Sequence, residues 1–294
     1  MSMIYRVSLA IGLLAVAAMA AAQAPGVLYE KQSQYNTILV TEDAPGLRTL
    51  LFEKHGARQS VVKLGDPDHL ELPYTRVMAV GLAVVQQPQR VLIVGLGGGT
   101  IPTFLRKHYA QTAIDVVDID PEVAEVAKTY FGFREDGSLR VHVADGRKFI
   151  ETCGEPYDII FLDAFGSDNI PRHLATREFL QATARGLKPG GVVVSNVWGP
   201  GSNPLYESMV CTYRDVFAEL CIVDVPGGGN KILVALPRRV KLNPEELAQR
   251  ATEISRQKQW RFDLGDLLRQ GLQKSVPPDS HGRVLRDDDP QEDR

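Results

Sequence analysis

A glycine-rich turn, Gly95-Leu96-Gly97-Gly98-Gly99-Thr100, stands between the apolar run Arg90–Leu96 and a stretch of helical spacing. Glycines at such a junction let the backbone close on a ligand, and the first turn of the helix offers unpaired N–H groups. Gly95, Gly97 and Gly98 are therefore candidate cofactor-binding positions. About twenty residues later Asp118 ends a second apolar run, where a carboxylate can accept both hydroxyls of a ribose. Asp120 competes for that role, although Asp120-Pro121 reads equally well as a helix cap. Asp145-Gly146 ends a third run, and a carboxylate there either accepts from an adenine amino group or caps the helix that follows. Three such ends on one rim point to an adenosine-type ligand. The sequence has no Gly-rich loop ending in Gly-Lys-Ser/Thr, which speaks against ATP hydrolysis.

A fourth apolar run ends at Asp163, with Asp168 five residues further on. Carboxylates at this position can hold a cationic amine, or take a proton from it as nitrogen attacks carbon. Asp163 could instead bond only the backbone N–H groups of its own loop. Tyr74, ahead of the first buried strand, could close over the same edge or serve as an ordinary core or surface tyrosine.

The elements that must position these residues follow from the spacing of apolar side chains. Residues 27–72 read as short β elements, Tyr35–Thr41, Arg48–Phe52 and Ser60–Leu64, separated by turn residues, which fits a small antiparallel sheet. Helical spacing runs from Pro73 to Val85. From Arg90 onward buried runs and helices alternate: Ala113–Ile119, Arg140–Ala144, Asp158–Leu162 and Gly191–Val197, with helices at Thr100–Tyr109, Pro121–Tyr130, Thr176–Leu187 and Leu205–Phe217. Runs without polar alternation are covered on both faces, so the expected class is α/β, a doubly wound Rossmann-like sheet. Ile222–Val225 and Lys231–Leu236 flank Pro226-Gly227-Gly228-Gly229-Asn230 and predict a closing antiparallel hairpin. The expected domains are residues 73–240 for the nucleoside-binding unit, 241–278 for a helical extension that includes Asn243–Gln257, and 279–294 for a disordered acidic tail.

The 294 residues carry 33 Lys+Arg and 36 Asp+Glu, a net charge of -3, which offers no field for nucleic acid or an anionic membrane. Residues 1–22 have the plan of a secretory signal peptide: a short basic start, an apolar Val7–Met19 and Ala20-Ala21-Ala22 before Gln23. The expectation is an exported, periplasmic or secreted protein with no stable membrane insertion after cleavage; an uncleaved anchor is the alternative. Cys153, Cys211 and Cys221 are too few for a disulfide scaffold, though Cys211 and Cys221 could pair, and no Cys/His spacing suits a metal.

Tyr29-Glu30-Lys31-Gln32-Ser33-Gln34-Tyr35, Arg48–Gln59, Tyr74, Val91–Gly99, Val117-Asp118-Ile119-Asp120-Pro121, Ala144-Asp145-Gly146 and Tyr157-Asp158-Ile159-Ile160 resemble, in order, the spermidine synthase family over about Leu28–Leu236. The resemblance implies a seven-stranded class I methyltransferase-type sheet with a small N-terminal β domain and a homodimer. It also implies aminopropyl transfer from decarboxylated S-adenosylmethionine to a small-molecule amine, with no metal. Position by position it gives Gln59 and Asp118 to the donor's thioether side and ribose, Asp145 and Gly146 to the adenine, and Asp163 and Tyr74 to the attacking amine, with Asp168 as a second acid. Two positions depart from the family pattern. Gly98 stands where an acid normally grips the donor's terminal amine, and Asp163-Ala164-Phe165-Gly166 replaces an Asp-Ser-Ser-Asp-Pro type ending. Methyl transfer from S-adenosylmethionine on the same scaffold is thus the second reading, favoured by Gly98. A non-catalytic exported nucleoside- or polyamine-binding protein is the third.

Overall fold

The computed structural model describes residues 26–164, 171–240, 242–273 and 282–290; the expected leader and Asp168 lie outside them. Four antiparallel strands come first, β1 (Gly26–Gln32), β2 (Thr37–Ala44), β3 (Leu47–Leu51) and β4 (Arg58–Lys63), paired in sequence order. One face of this sheet is apolar: Ile38, Val40 and Leu50 are buried and join the core beneath. β1 escaped the sequence reading because nearly every one of its residues is exposed, leaving no alternation to detect.

The large sheet contains β5 (Arg90–Val94), β6 (Ala113–Asp118), β7 (Leu139–Val143), β8 (Tyr157–Leu162), β9 (Leu187–Trp198), β10 (Glu219–Asp224) and β11 (Asn230–Leu236). Their order is β10-β11-β9-β8-β5-β6-β7; β5 to β9 run parallel, and β11 returns antiparallel against β9 and β10. Val91 and Ile93 face one buried cluster, while Leu92 and Val94 face the other. Both faces being covered explains the unbroken apolar run.

On the first face lie α1 (Pro73–Met78), α2 (Val80–Val84), α3 (Thr100–His108), α4 (Pro121–Tyr130), α8 (Pro244–Gln257) and α9 (Leu264–Gly271), and on the second α5 (Gly146–Thr152), α6 (Arg177–Arg185) and α7 (Tyr206–Val216). The helix expected over Pro73–Val85 divides at Ala79, whose side chain has no acceptor to cap α2. β9 begins at Leu187, four residues ahead of the run read from Gly191. α9 was not anticipated, yet its Leu264 and Leu268 share one core with Leu247 and Ile254 of α8 and Val80 and Leu82 of α2.

Residues 282–290 correct the expectation of a disordered acidic tail. Leu285 is 1% exposed within the second core. Its N–H donates to Thr212 Oγ1 at 2.9 Å, and its carbonyl accepts from Arg177 N at 2.8 Å. Acid-rich composition signals disorder only when the acids lack partners; here Asp287 takes two bonds from the Arg147 guanidinium, at 2.7 and 2.6 Å. Cys153, Cys211 and Cys221 form no disulfide. No helix among the described residues is long and apolar enough to cross a membrane.

Candidate functional site

A cavity of about 440 Å³ opens at the carboxyl ends of β5, β6 and β8. The turn after β1 contributes Tyr35 and Asn36, β4 contributes Arg58, Gln59 and Ser60, and the start of α1 contributes Pro73 and Tyr74. Opposite them a 3₁₀ turn, Arg172–Leu174, supplies His173 and Leu174.

The glycine turn approaches β8 so closely that only glycine fits. Gly95 has φ +101°, and a Cβ on it would lie 2.3 Å from the Asp163 carbonyl oxygen. Gly95 and Gly97 line the cavity. Gly98, expected beside them, does not: a side chain there would point away, to Ser60 Oγ at 3.0 Å and the Phe131 ring at 3.1 Å. Gly98 lies in the turn two residues ahead of α3, packed against Ser60 and Phe131 rather than lining the cavity. Ser60 Oγ and Thr100 Oγ1 share a hydrogen bond of 3.0 Å beside it.

Asp118 ends β6 with both oxygens engaged: Leu96 N–H donates at 2.9 Å and Asp120 N–H at 3.0 Å. Burial raises its pKa to about 6 against the pull of these donors. A carboxylate oxygen can accept more than one bond, and Asp118 lines the cavity. Asp120, its competitor, is 1% exposed and works as a cap; it accepts from Glu122 N–H at 2.9 Å and from the Ser33 hydroxyl. Both residues line the cavity, but the oxygens of Asp120 are taken up by the helix cap and by Ser33.

Asp145 takes the helix-cap role foreseen for it and also stands at the cavity. It caps α5 by accepting from Lys148 N–H at 3.0 Å, and it lines the cavity next to Gly146. His173 Nε2 lies 3.0 Å from its second oxygen. Burial disfavours the charge, but the Lys148 N–H and His173 outweigh it and hold the carboxyl below the usual range. A Cβ on Gly146 would strike Val94 Cγ1 at 2.6 Å, which brings α5 close to the strand ends.

Asp163 sits where β8 ends. Asn196 Nδ2 donates to Oδ1 at 2.9 Å, and the Tyr74 hydroxyl donates to Oδ2 at 3.3 Å. Asn196 in turn accepts from Asn230 Nδ2 at 2.9 Å. Burial raises the Asp163 pKa to about 7, while its two donors pull the other way. Burial, then the neighbouring Asp163 charge, pushes the Tyr74 phenol well above its ordinary value, so it remains a proton donor. Tyr74 and Asp163 are 89 residues apart in sequence and meet here. Gln59 lines the cavity on the β4 side, and Asp168 lies outside the described residues.

Sequence reasoning passed over Asn196, Asn230, His173 and Arg58. Asn196 had a signal: it is a polar side chain inside the apolar run Gly191–Val197. Asn230 opens the last strand, and its link to Asn196 depends on the antiparallel return of β11. Among the described residues no group of three His, Cys, Asp or Glu is placed to hold a metal ion.

Comparison with known proteins places this geometry. A profile described as "Spermine/spermidine synthase domain" matches residues 71–224. The polyamine aminopropyltransferase of Vibrio vulnificus is 36% identical over 236 residues, 78% of this chain and 78% of that protein. The crystal structure of a probable spermidine synthase from Corynebacterium glutamicum superposes with a TM-score of 0.66 at 24% identity, covering 78% of this chain and 86% of that one. The structure of human methyltransferase-like protein 13 in complex with SAH gives 0.58 at 30% identity, covering 64% of this chain and 92% of that one. With a matched domain from Glu71 to Asp224 and this level of identity along most of its length, the chain belongs to the spermine/spermidine synthase family.

Proposed function

We propose that the protein transfers the aminopropyl group of decarboxylated S-adenosylmethionine to a small-molecule amine in this cavity. The observation that carries the proposal is the Tyr74–Asp163–Asn196 arrangement, a carboxylate of pKa about 7 held by two hydrogen-bond donors at the end of β8. A base whose pKa lies near working pH is half-ionised in the free enzyme and ready to accept a proton. In the proposed step the amine lone pair forms the new N–C bond to the carbon beside the sulfonium. The C–S bond breaks, methylthioadenosine leaves as a neutral thioether, and Asp163 takes the proton lost from nitrogen. Asp118 is assigned to the ribose, Asp145 and Gly146 to the adenine, Gln59 to the thioether side, and Gly95 and Gly97 to close approach of the backbone. Positioning and the placement of negative charge near two cations supply the rate enhancement.

Methyl transfer from S-adenosylmethionine is the second reading. Gly98 offers no carboxylate to the donor's terminal amine, and Ser60 and Phe131 fill the space where one would stand. Calorimetry of the full chain with methylthioadenosine, both donors and putrescine, followed by mass spectrometry of the product, tests the proposal. Binding of the decarboxylated donor and a product heavier by an aminopropyl group are expected. A methylated product moves the assignment to the second reading, and failure of every adenosyl ligand to bind overturns both. We propose in addition that the leader is removed before Gln23 on export and that the protein is a homodimer; N-terminal sequencing of the mature chain and light scattering check these.

A further inference from the structure

Charge is distributed unevenly around the cavity. Its described lining holds the carboxylates of Asp118, Asp120, Asp145 and Asp163, and Arg58 is the one Lys or Arg among those residues. Arg58 reaches the cavity through an irregularity in β4. Leu50 pairs with Ser60 while Leu51 pairs with Arg58, so Gln59 is an extra residue and three successive positions line the cavity instead of alternating. The Arg58 side chain is 49% exposed, and the carboxylate nearest to it, Glu71 Oε1, is 3.8 Å away, beyond hydrogen-bonding distance. The other oxygen of Glu71 lies 3.1 Å from His69 Nε2.

A guanidinium whose fork is unspent is a poor neighbour for a sulfonium donor and a diamine. Both are cations, and like charges brought together disfavour binding. A carboxylate reverses the sign, because the guanidinium's parallel N–H groups match its two oxygens. The absence of an acid at Gly98 acts in the same direction: nothing on that side requires the donor to end in a bare ammonium.

We infer that Arg58 is a specificity-determining residue that receives a carboxylate carried by one of the two substrates. That carboxylate belongs either to the amino-acid end of S-adenosylmethionine or to the acceptor amine. The inference rests on the proposed reading that an adenosyl donor and an amine meet in this cavity, and it narrows the substrate class from polycations to partners with an anionic end.

The experiment compares the full chain with Arg58→Gln and Arg58→Lys. Methylthioadenosine, which has no carboxylate, is titrated first, and all three proteins should bind it within about twofold. If the donor supplies the carboxylate, Arg58→Gln weakens S-adenosylmethionine at least about tenfold and leaves its decarboxylated form unchanged. If the acceptor supplies it, Arg58→Gln raises KM at least about tenfold for ornithine and not for putrescine. Arg58→Lys, a point charge without the fork, should recover part of the loss in either case. Unaltered discrimination in both arms with methylthioadenosine still bound overturns the role of Arg58 and leaves the proposed function standing. Failure of the unsubstituted chain to bind any adenosyl ligand overturns both.

Discussion

The floor of the cavity and its side walls are built differently. The floor consists of strand ends: Gly95 after β5, Asp118 as the last residue of β6 and Asp163 after β8, each closing an apolar run whose register with its neighbour is fixed, Val94 against Val117 and against Leu162. The walls come from distant chain: β4 on one side, and on the other the 3₁₀ turn that residues 282–290 hold in place. Arg172 Nη1 bonds the Pro290 carbonyl at 2.7 Å, and Arg147, anchored by Asp287, also reaches the His173 carbonyl at 3.4 Å. The floor is rigid because a sheet buried on both faces supports it. The walls depend on a few long-range contacts, which makes them the place where binding is tuned while the floor determines whether reaction occurs.

Asp163→Asn should separate these roles most sharply. Turnover is expected to fall about 100-fold to 10,000-fold, the range for loss of a positioned base, while methylthioadenosine affinity stays within a few-fold; stopped-flow single turnovers and calorimetry measure the two. The same variant tests linkage. In the native state the carboxyl keeps its proton up to about 7, whereas the unfolded chain releases it near the ordinary value of 3.8. Between those values the native state binds more protons than the unfolded state, so stability falls as pH rises and levels off above about 7. Thermal melts should show that decline for the native sequence and a shallower one for Asp163→Asn. Equal slopes would mean that Asp163 is already ionised at low pH.

Asp118→Asn comes next. An amide cannot accept from Leu96 N–H, Asp120 N–H and a ribose with both heads, and one of its heads becomes a donor. Affinity for methylthioadenosine should drop about 10-fold to 100-fold, as expected for one charged hydrogen-bond acceptor. Undiminished affinity would take the ribose role away from Asp118.

The floor was legible in the sequence for the reason that makes it rigid. A strand buried on both faces gives an unbroken apolar run, and the first acid after such a run must stand at the sheet's edge. Asp118, Asp145 and Asp163 all follow that logic; Tyr74 was a candidate from its place ahead of the first buried strand, and only the family resemblance gave it a role. The walls were not legible. β1 is exposed on both faces, Arg58 reaches the cavity through a bulge that no local pattern announces, and the last segment was read by composition. Its aspartates look solvated until Arg147 and Arg172, more than a hundred residues upstream, supply their partners. Gly98 failed in the opposite sense: the glycine turn was recognised, but which of its residues faces the ligand depends on the positive φ values at Gly95, Gly97 and Gly99.

Leu285→Ala probes the wall. Removing a leucine that is 1% exposed should cost about 2–5 kcal/mol. If the segment's anchorage fails without global unfolding, His173 loses its support and donor KM should rise several-fold with kcat nearly constant. Asp287→Asn, which weakens the Arg147 pair in a largely exposed setting, should move KM the same way by less. A fall in kcat with KM unchanged would show that the wall acts on chemistry, and the distinction between floor and wall would collapse.

Tyr74→Phe tests the contact that reaches from the start of α1 to Asp163 on the floor. The phenol donates to Asp163 across 3.3 Å, and a donor to a carboxylate favours its charged form. Burial alone would raise the Asp163 pKa beyond about 7, and Tyr74 restrains it. Without the hydroxyl, the acid limb of the kcat/KM profile should shift to higher pH by less than about one unit, since so long a hydrogen bond contributes about 1 kcal/mol. At pH 7 the ionised fraction then falls, and turnover falls with it a few-fold. Above the shifted limb most of the rate should return if Tyr74 acts only through Asp163. A loss that persists at high pH would mean that the phenol also touches the substrate, which would make Tyr74 a catalytic residue in its own right.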